Sequence, residues 1–228
     1  MTTSSLSFAR YVHSSVIKKQ ILATTGLMLS GFLLMHLIGN CLIYVGAGTF
    51  NTYAHKLTTN PLIIPMEIAL ALLFLSHIVL AIRLQIENKL ARPQPYYMKV
   101  HTGAGATFAS STMPYTGIII LVFLVTHLIH FKFGPHFDTM VDGVPMRDLY
   151  KTVILYFQSP ISVIWYLFCM VALGLHLSHG VWSALQSFGI YHPKWNCTFK
   201  IFSKCFAVII AIGFAALPIY CSMQGVNP

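Results

Sequence analysis

The chain has 228 residues, of which 56% are hydrophobic and only 8% are charged. Because about a quarter of the residues in a soluble domain are charged, this composition excludes an ordinary soluble fold and indicates an integral membrane protein. The formal net charge of +9, taken alone, would also suit a protein that binds nucleic acid.

Five apolar runs each approach or exceed the roughly 20 residues that a helix needs to cross a bilayer. We therefore predict an all-α membrane protein with a single domain over residues 1–228. The segment 50–61 is expected to be a short outer connection, and residues 146–157 an amphipathic surface helix. No internal repeat is evident. The five transmembrane helices are predicted at about residues 21–45, 61–84, 112–131, 160–187 and 201–220.

The basic residues fall mainly on one side of this arrangement. With a cytoplasmic N-terminus and an external C-terminus, ten of the fourteen Lys and Arg lie inside, as the positive-inside rule requires. The positive charge is therefore a topology signal, and no nucleic-acid partner is expected. The inner residues are Arg10, Lys18, Lys19, Arg83, Lys89, Arg92, Lys99, Lys194, Lys200 and Lys204.

Four of the five runs carry a histidine deep inside them, at His36, His77, His127 and His176. Ionisable side chains within hydrocarbon are costly and usually functional. At 1.5 Å per residue, His36 and His127 lie about 21–24 Å from the inner surface, and the other two lie about as far from the outer surface. The histidines therefore form two level-matched pairs on parallel helices, an outer pair (His36 and His127) and an inner pair (His77 and His176).

Two histidines at one level suit the axial positions of a haem that transfers electrons. We therefore predict that the first four helices form a bundle holding two b haems, the outer one ligated by His36 and His127 and the inner one by His77 and His176. No C-x-x-C-H motif is present, so the haems would be non-covalent. Hydrogen bonding to a neighbouring helix is the alternative interpretation of each histidine.

Two further histidines leave the ligand choice open at this stage. His130 lies three residues after His127, and His179 lies three residues after His176. Residues three apart on a helix share nearly the same face. Depth therefore does not choose within either pair.

Six segments, in order along the chain, resemble a known family: K-K-Q-I-L-A-T-T-G (18–26), H-L-I-G-N (36–40), F-N-T-Y-A-H (50–55), E-N-K-L-A-R-P (87–93), M-R-D-L-Y (146–150) and H-L-S-H-G-V-W-S (176–183). Over nearly its whole length the chain resembles the dihaem cytochrome b membrane anchor of succinate:quinone oxidoreductases, the family that includes menaquinol:fumarate reductases. The resemblance implies the same four haem ligands. It favours His176 over His179, because asparagine can occupy the second position in that family.

The resemblance also implies partners and a location. A flavoprotein subunit with covalent FAD and an iron–sulfur subunit would dock on the cytoplasmic face of a bacterial inner membrane and would oxidise succinate or reduce fumarate. This chain would carry electrons between them and a membrane quinone, with menaquinone the expected type, and would perform no dicarboxylate chemistry itself. Some fumarate reductases of the family carry a proton-moving glutamate where this chain has Gly174, which puts that proton route in doubt here.

Quinone reduction exchanges protons, so polar residues near the outer pair are candidates for a quinone site. Glu67 is expected to be the only acid within or at the edge of the membrane. Haem propionates are anionic, so the cations Lys18, Lys19 and Arg83 are candidate partners for the inner haem. Topology alone explains these charges equally well, and interfacial anchoring explains the polar residues. The quinone candidates are Asn40, Asn51, Tyr53, His55 and Glu67.

Two other functions fit part of the pattern. The chain would serve equally as the dihaem anchor of another dehydrogenase, such as a hydrogenase or formate dehydrogenase, although the loops do not resemble those proteins. A haem-free transporter with a chain of intramembrane histidines is the alternative from a different class. Repeats or broken helices would favour transport.

Overall fold

The computed structural model describes residues 14–91 and 107–225 of the chain. Five helices in this part are long and apolar enough to cross a membrane, which confirms the predicted helical membrane class. Arg10, Arg92 and Lys99, and the end of the segment 87–93, lie outside the described residues. The elements are α1 (Ser15–Asn40), α2 (Ala47–Thr58), α3 (Ile63–Leu90), α4 (Phe108–His127), β1 (Asp138–Val141), β2 (Val144–Arg147), α5 (Leu149–Tyr156), α6 (Pro160–Ser187) and α7 (Asn196–Met223).

The transmembrane helices are α1, α3, α4, α6 and α7, and several extend beyond the predicted bounds. A 3₁₀ turn (Cys41–Tyr44) continues α1, and a π-helix (Leu128–Lys132) continues α4. At its other end α1 begins at Ser15 because the Ser14 side chain accepts a hydrogen bond from the backbone N–H of Ile17, at 3.4 Å. Apolar run length marks the hydrocarbon core, whereas caps and charged residues set where a helix ends.

The inner end of α3 corrects one expectation. Lys18 of α1 forms an ion pair of 2.6 Å with Glu87, which lies in the last turn of α3. Glu67 is therefore not the only acid at the edge of the membrane-crossing helices. The ion pair stabilises the contact between α1 and α3 at the end where both helices extend past their apolar runs.

Two helices, α1 and α6, are central to the bundle. α1 contacts α3, α6 and α7, whereas α6 contacts α1, α4 and α7. The buried core lies where α1, α6 and α7 meet, and many apolar side chains on the outer faces of the helices are exposed. Such faces are expected of helices in contact with lipid, since helix association in membranes does not require burying every apolar side chain.

Close packing joins α6 to α7. The Ser203 side chain of α7 is fully buried, donates a hydrogen bond of 2.8 Å to the carbonyl of Ser178 and accepts one of 3.2 Å from the backbone N–H of Trp182. Further along, Gly174 faces Ala211, and a Cβ at Gly174 would lie 3.0 Å from the Ala211 Cβ. Small and hydroxylated residues thus let the two backbones approach each other.

The connections on the outer side contain more structure than predicted. Residues 47–58 form the helix α2, where a short connection was expected. Gly46 precedes α2 with a φ of 125°, a conformation that only glycine adopts without strain. The chain therefore turns sharply after the first transmembrane helix and runs back as a second, shorter helix.

The expected surface helix at 146–157 is wrong over its first residues. Met146 and Arg147 belong to β2, which pairs antiparallel with β1, and the helix begins only at Leu149. Asp142 and Gly143 both have positive φ, as a two-residue hairpin turn of type I′ requires. The Asp148 side chain then caps α5 by accepting a hydrogen bond of 2.9 Å from the backbone N–H of Lys151.

One buried amide ties the outer elements together. Asn51 of α2 is 1% exposed. Its side-chain nitrogen donates to a carboxylate oxygen of Asp148 at 2.8 Å, and its side-chain oxygen accepts from the backbone N–H of Tyr150 at 2.9 Å. α2 is therefore fixed to the start of α5.

We predict that Asn51→Ala lowers the melting temperature of the detergent-solubilised protein. The substitution removes two hydrogen bonds, one to the Asp148 carboxylate and one from the Tyr150 N–H, and bonds of these kinds each contribute about 0.5–3 kcal/mol. Asp138→Asn is the matched control, because the Asp138 side chain is 90% exposed. Equal melting temperatures for the two variants would contradict the structural role of Asn51.

Candidate functional site

The outer pair of histidines is in close contact in the structure. The ring centroids of His36 and His127 are 5.9 Å apart, and the two rings are nearly perpendicular, at 85°. An aromatic ring one turn earlier on the same helix flanks each of them: Phe32 at 5.4 Å from His36 and Phe123 at 5.6 Å from His127. α1 and α4 therefore present their histidines to each other at one level.

Polar groups meet the ring nitrogens of the outer pair. The hydroxyl of Tyr166, a buried residue of α6, lies 3.4 Å from Nδ1 of His127. The side-chain nitrogen of Asn40 lies 3.3 and 3.4 Å from the two ring nitrogens of His36, and it also donates to the His36 carbonyl at 2.8 Å. His127 is thus tied to α6, whereas His36 is tied to its own helix.

Each inner histidine contacts a threonine on a neighbouring helix. Nδ1 of His77 lies 3.1 Å from the hydroxyl of Thr25 on α1. In the same way, Nδ1 of His176 lies 3.2 Å from the hydroxyl of Thr116 on α4. The inner pair therefore lies level with Thr25 and Thr116.

A glycine follows each threonine and faces the same ring. A Cβ at Gly26 would lie 3.2 Å from Cε1 of His77, and a Cβ at Gly117 would lie 3.7 Å from Cε1 of His176. Cε1 is the ring carbon between the two nitrogens. Without a side chain at Gly26 or Gly117, the imidazole rings of His77 and His176 can lie close to the backbones of α1 and α4.

These contacts draw attention to a short residue pattern that α1 and α4 share. Residues 25–36 of α1 and residues 116–127 of α4 share the pattern T-G-x₅-F-x₃-H. The threonine, phenylalanine and histidine are separated by about two and three helical turns, so they lie on one face, with about 16 Å between the threonine and histidine levels. Four matching positions in twelve residues are a pattern shared by two helices and do not amount to a repeat of a structural unit, because the positions between them are interchangeable apolar residues.

The structure distinguishes the two histidines at the end of α4. His130 lies in the π-helix and packs against Tyr156 of α5, with ring centroids 4.4 Å apart. Its Nδ1 atom is buried and has no hydrogen-bond partner among the described residues. His127, and not His130, is the residue brought against His36.

Gly134 closes the turn after this π-helix. A Cβ on Gly134 would clash with the carbonyl oxygen of His130, so no other residue fits there without a change of backbone.

The structure also distinguishes the two histidines of α6. The contacts with Thr116 and Gly117 belong to His176. His179, which is half-buried, lies one turn further along α6.

The candidate quinone residues do not form one hydrogen-bonded group in the part of the chain that the structure describes. Asn51 is engaged with Asp148 and Tyr150, and Asn40 is bound to His36. Tyr53 packs over Gly39 of α1, where a Cβ would lie 2.6 Å from the phenol oxygen. His55 is half-buried in the last turn of α2. Asn40 and Tyr53 are thus the two candidates next to the outer end of α1.

Glu67 has a partner that the sequence did not reveal. Its carboxylate lies 2.5 Å from the ammonium of Lys132 at the end of the π-helix, and both side chains are about half exposed, at 45% and 42%. The ion pair joins the outer end of α3 to the outer end of α4. Glu67 is therefore an accessible acid held in place by a cation.

The candidate propionate partners are found at the inner end of the bundle. Lys18 and Arg83 both contact the same oxygen of Glu87, at 2.6 and 2.9 Å, while Lys19 is exposed. One carboxylate between two cations leaves a net charge of +1. Glu87 would therefore compete with any other anion for binding to Lys18 and Arg83.

Within residues 14–91 and 107–225, no group of three or more His, Cys, Asp or Glu side chains is arranged to hold a metal ion. A haem iron differs from a bare metal ion, because the porphyrin supplies four ligands and the protein needs to supply only two. No protein-family model, curated protein or solved structure matches the chain.

Gly174 lies two residues before His176 on α6. In this chain the position is in the tight contact between α6 and α7, with Ala211 3.0 Å from where a Cβ would be. A long side chain there would push the two helices apart. The fold itself therefore opposes a proton-carrying side chain at this place.

We predict that Gly174→Leu lowers the melting temperature and the yield of folded protein. Overpacking of a close helix contact typically costs about 1–3 kcal/mol. Gly180→Leu is the control on the same helix, since a Cβ at Gly180 would meet nothing within 4 Å. The tight α6–α7 contact would be disproved if both leucine variants melted at the wild-type temperature.

Proposed function

We propose that the chain is a dihaem cytochrome b that anchors a succinate:quinone oxidoreductase in the membrane and passes electrons between its cytoplasmic subunits and a quinone. The observation that carries this proposal is the facing of His36 and His127 across two helices, at 5.9 Å between ring centroids. Two imidazoles on opposite sides of one metal, each with a bond of about 2 Å, have centroids about 6 Å apart. The outer pair thus has the spacing of axial haem ligands.

The inner pair fits the same chemistry through its neighbours. The Nδ1 atoms of His77 and His176 face threonine hydroxyls at 3.1 and 3.2 Å, so the Nε2 atoms are the nitrogens left to bind iron. Metal-bound histidines regularly have such a partner on the second ring nitrogen. Gly26 and Gly117 keep bulk away from the imidazole edges, as a flat macrocycle requires.

A bound haem would supply a reversible one-electron couple at each level. The chain's own residues hold the imidazoles in place and keep the two levels about 16 Å apart along the helices. Two histidine ligands leave no open position on the iron, which favours electron transfer over oxygen chemistry.

The orientation and partners of the chain follow from its charges and from the resemblance. The excess of Lys and Arg at one end of the bundle supports a cytoplasmic N-terminus in a bacterial inner membrane. The flavoprotein subunit with FAD and the iron–sulfur subunit would dock on that face. Electrons would then pass from the inner to the outer haem, or the reverse for fumarate reduction, and the quinone would react at the outer side.

Two neighbouring functions are less well supported. A transport function does not explain why the histidines lie in pairs. The transmembrane helices of the described chain are also continuous, whereas transporters often have broken helices. An anchor for a different dehydrogenase would use the same haem geometry. Purification of the intact complex and identification of its cytoplasmic subunits would separate these two dihaem anchors.

We predict two b haems per chain and a pairwise pattern of loss. His77→Ala or His176→Ala should remove the inner haem, and His36→Ala or His127→Ala the outer one, because each iron loses an axial ligand. Pyridine haemochrome quantitation and reduced-minus-oxidised spectra of the purified complex measure both.

Three controls sharpen this test. His136→Ala should keep both haems, because that side chain is 62% exposed, and His130→Ala and His179→Ala should keep them because those residues are neighbours rather than ligands. One haem or none in the wild-type complex would refute the proposal. Loss of a haem from the His130 or His179 variant would move the assignment one turn along the helix.

We predict that Glu67→Gln slows quinone-linked turnover by about 100-fold, the usual scale for losing a proton-transferring group. Succinate oxidation with an artificial dye and both haem spectra should stay unchanged. Lys132→Gln is the matched control, since it breaks the same ion pair but keeps the carboxylate. Equal slowing in the two variants would assign the effect to the ion pair, and full turnover in Glu67→Gln would exclude Glu67 from the quinone site.

A further inference from the structure

We propose that Thr25 and Thr116 are positioning residues for the inner haem: each accepts a hydrogen bond from Nδ1–H of its histidine and so fixes the ring tautomer that presents Nε2 to the iron. The inference rests on the proposed dihaem function and adds to it a means of setting the potential of one haem separately from the other. It depends on where the single hydrogen of each hydroxyl goes.

The hydroxyl hydrogens are committed to the backbone. Thr25 donates to the carbonyl of Leu22 at 3.0 Å. Thr116 has two carbonyls of its own helix within reach, at 3.1 and 3.2 Å. A hydroxyl has one hydrogen and two lone pairs. Toward the imidazoles each threonine therefore acts as an acceptor, and the histidine nitrogen that faces it carries the proton.

Both threonines are buried, so the hydrogen bonds between them and the imidazoles are not easily replaced by bonds to water. Thr25 and Thr116 are only 6% and 4% exposed, and an N–H group in such surroundings has little access to water. The preceding residue, Thr24, is exposed and hydrogen-bonds only within its own helix, to the carbonyl of Gln20. The chain thus offers a neighbouring threonine with the same backbone bond and no contact with the imidazole.

The outer pair has different partners. His127 faces a phenol hydroxyl, that of Tyr166, at 3.4 Å. His36 faces the side-chain nitrogen of Asn40, which donates hydrogen bonds and cannot accept one. Only the inner histidines therefore both donate to threonine. Because such a bond makes imidazole a stronger donor to the metal, it stabilises the oxidised iron and lowers the potential of the inner haem.

The test is a redox titration of the purified complex with isosteric variants. Thr25→Val and Thr116→Val, on two different helices, should each shift the midpoint potential of the same haem in the positive direction. Thr24→Val and Thr112→Val are the controls and should shift neither haem, since Thr112 hydrogen-bonds only within its helix. Tyr166→Phe should shift the other haem, because it removes the partner of His127.

Serine variants cover the case in which valine prevents haem binding. Thr25→Ser keeps the oxygen and should restore the wild-type potential and the low-spin ferric signal in electron paramagnetic resonance. Loss of the inner haem from the valine variant, with retention in the serine variant, supports the role of the hydroxyl. Loss from both overturns it.

The remaining outcomes separate this inference from the proposed function. Two haems with unchanged potentials in both valine variants would overturn the role of the threonines and leave the dihaem cytochrome intact. A wild-type complex without haem would overturn both. That result would be seen before any variant was compared.

Discussion

Ionisable side chains inside apolar helices need partners, and this need organises the structure. Water does not reach the middle of a bilayer, so an imidazole there must find a hydrogen-bonding group on its own or a neighbouring helix. His77, His127 and His176 each find a hydroxyl on another helix. The helix pairs that these bonds join are α1 with α3 and α4 with α6, and both pairs are in contact along the bundle. The positions of the helices and of the histidines are thus consequences of the same bonds.

The pattern T-G-x₅-F-x₃-H places the same residue types at two levels on α1 and on α4. Each copy places on one helix face a threonine that reaches the inner histidine of the next helix and, three turns on, an outer histidine. α1 and α4 carry the same residue types on these faces, and their histidines, His36 and His127, lie at the same level. The inner histidines, His77 and His176, lie outside the pattern, so it carries only the threonine level and the outer histidine level.

The sequence allowed the helices and the two histidine levels to be predicted, because apolar run length and the rise of a helix depend little on tertiary detail. It did not allow the outer elements to be predicted. The hairpin at 138–147 depends on the Asp142–Gly143 turn, a two-residue signal that we did not weigh against the apolar spacing after it. α2 depends on Asn51, whose partners are about a hundred residues away.

The histidines of the candidate site could be predicted from the sequence, but their hydrogen-bond partners could not. The histidines stand out because they are ionisable residues in apolar runs. Thr25, Thr116 and Tyr166 do not stand out, because hydroxyls are common in membrane helices and bond readily to their own backbone. Similarly, local spacing does not reveal the ion pairs of Glu87 and Lys132, because each forms with a residue more than sixty positions away. Long-range pairing of this kind is a property of the fold and is not encoded in local spacing.

The packing of α6 against α7 bears on how charge would move across the membrane. In the proposed function, electron transfer between the two levels would move negative charge, and a proton carried alongside it would need a titratable side chain between them. Gly174 lies on α6, two residues before His176, but its contact with Ala211 leaves no room for one. The accessible acid near the outer end is Glu67, paired with Lys132. Under the proposed function, Glu67 is therefore a candidate for proton exchange with a quinone, whereas Gly174 offers no group for passage of a proton through the bundle.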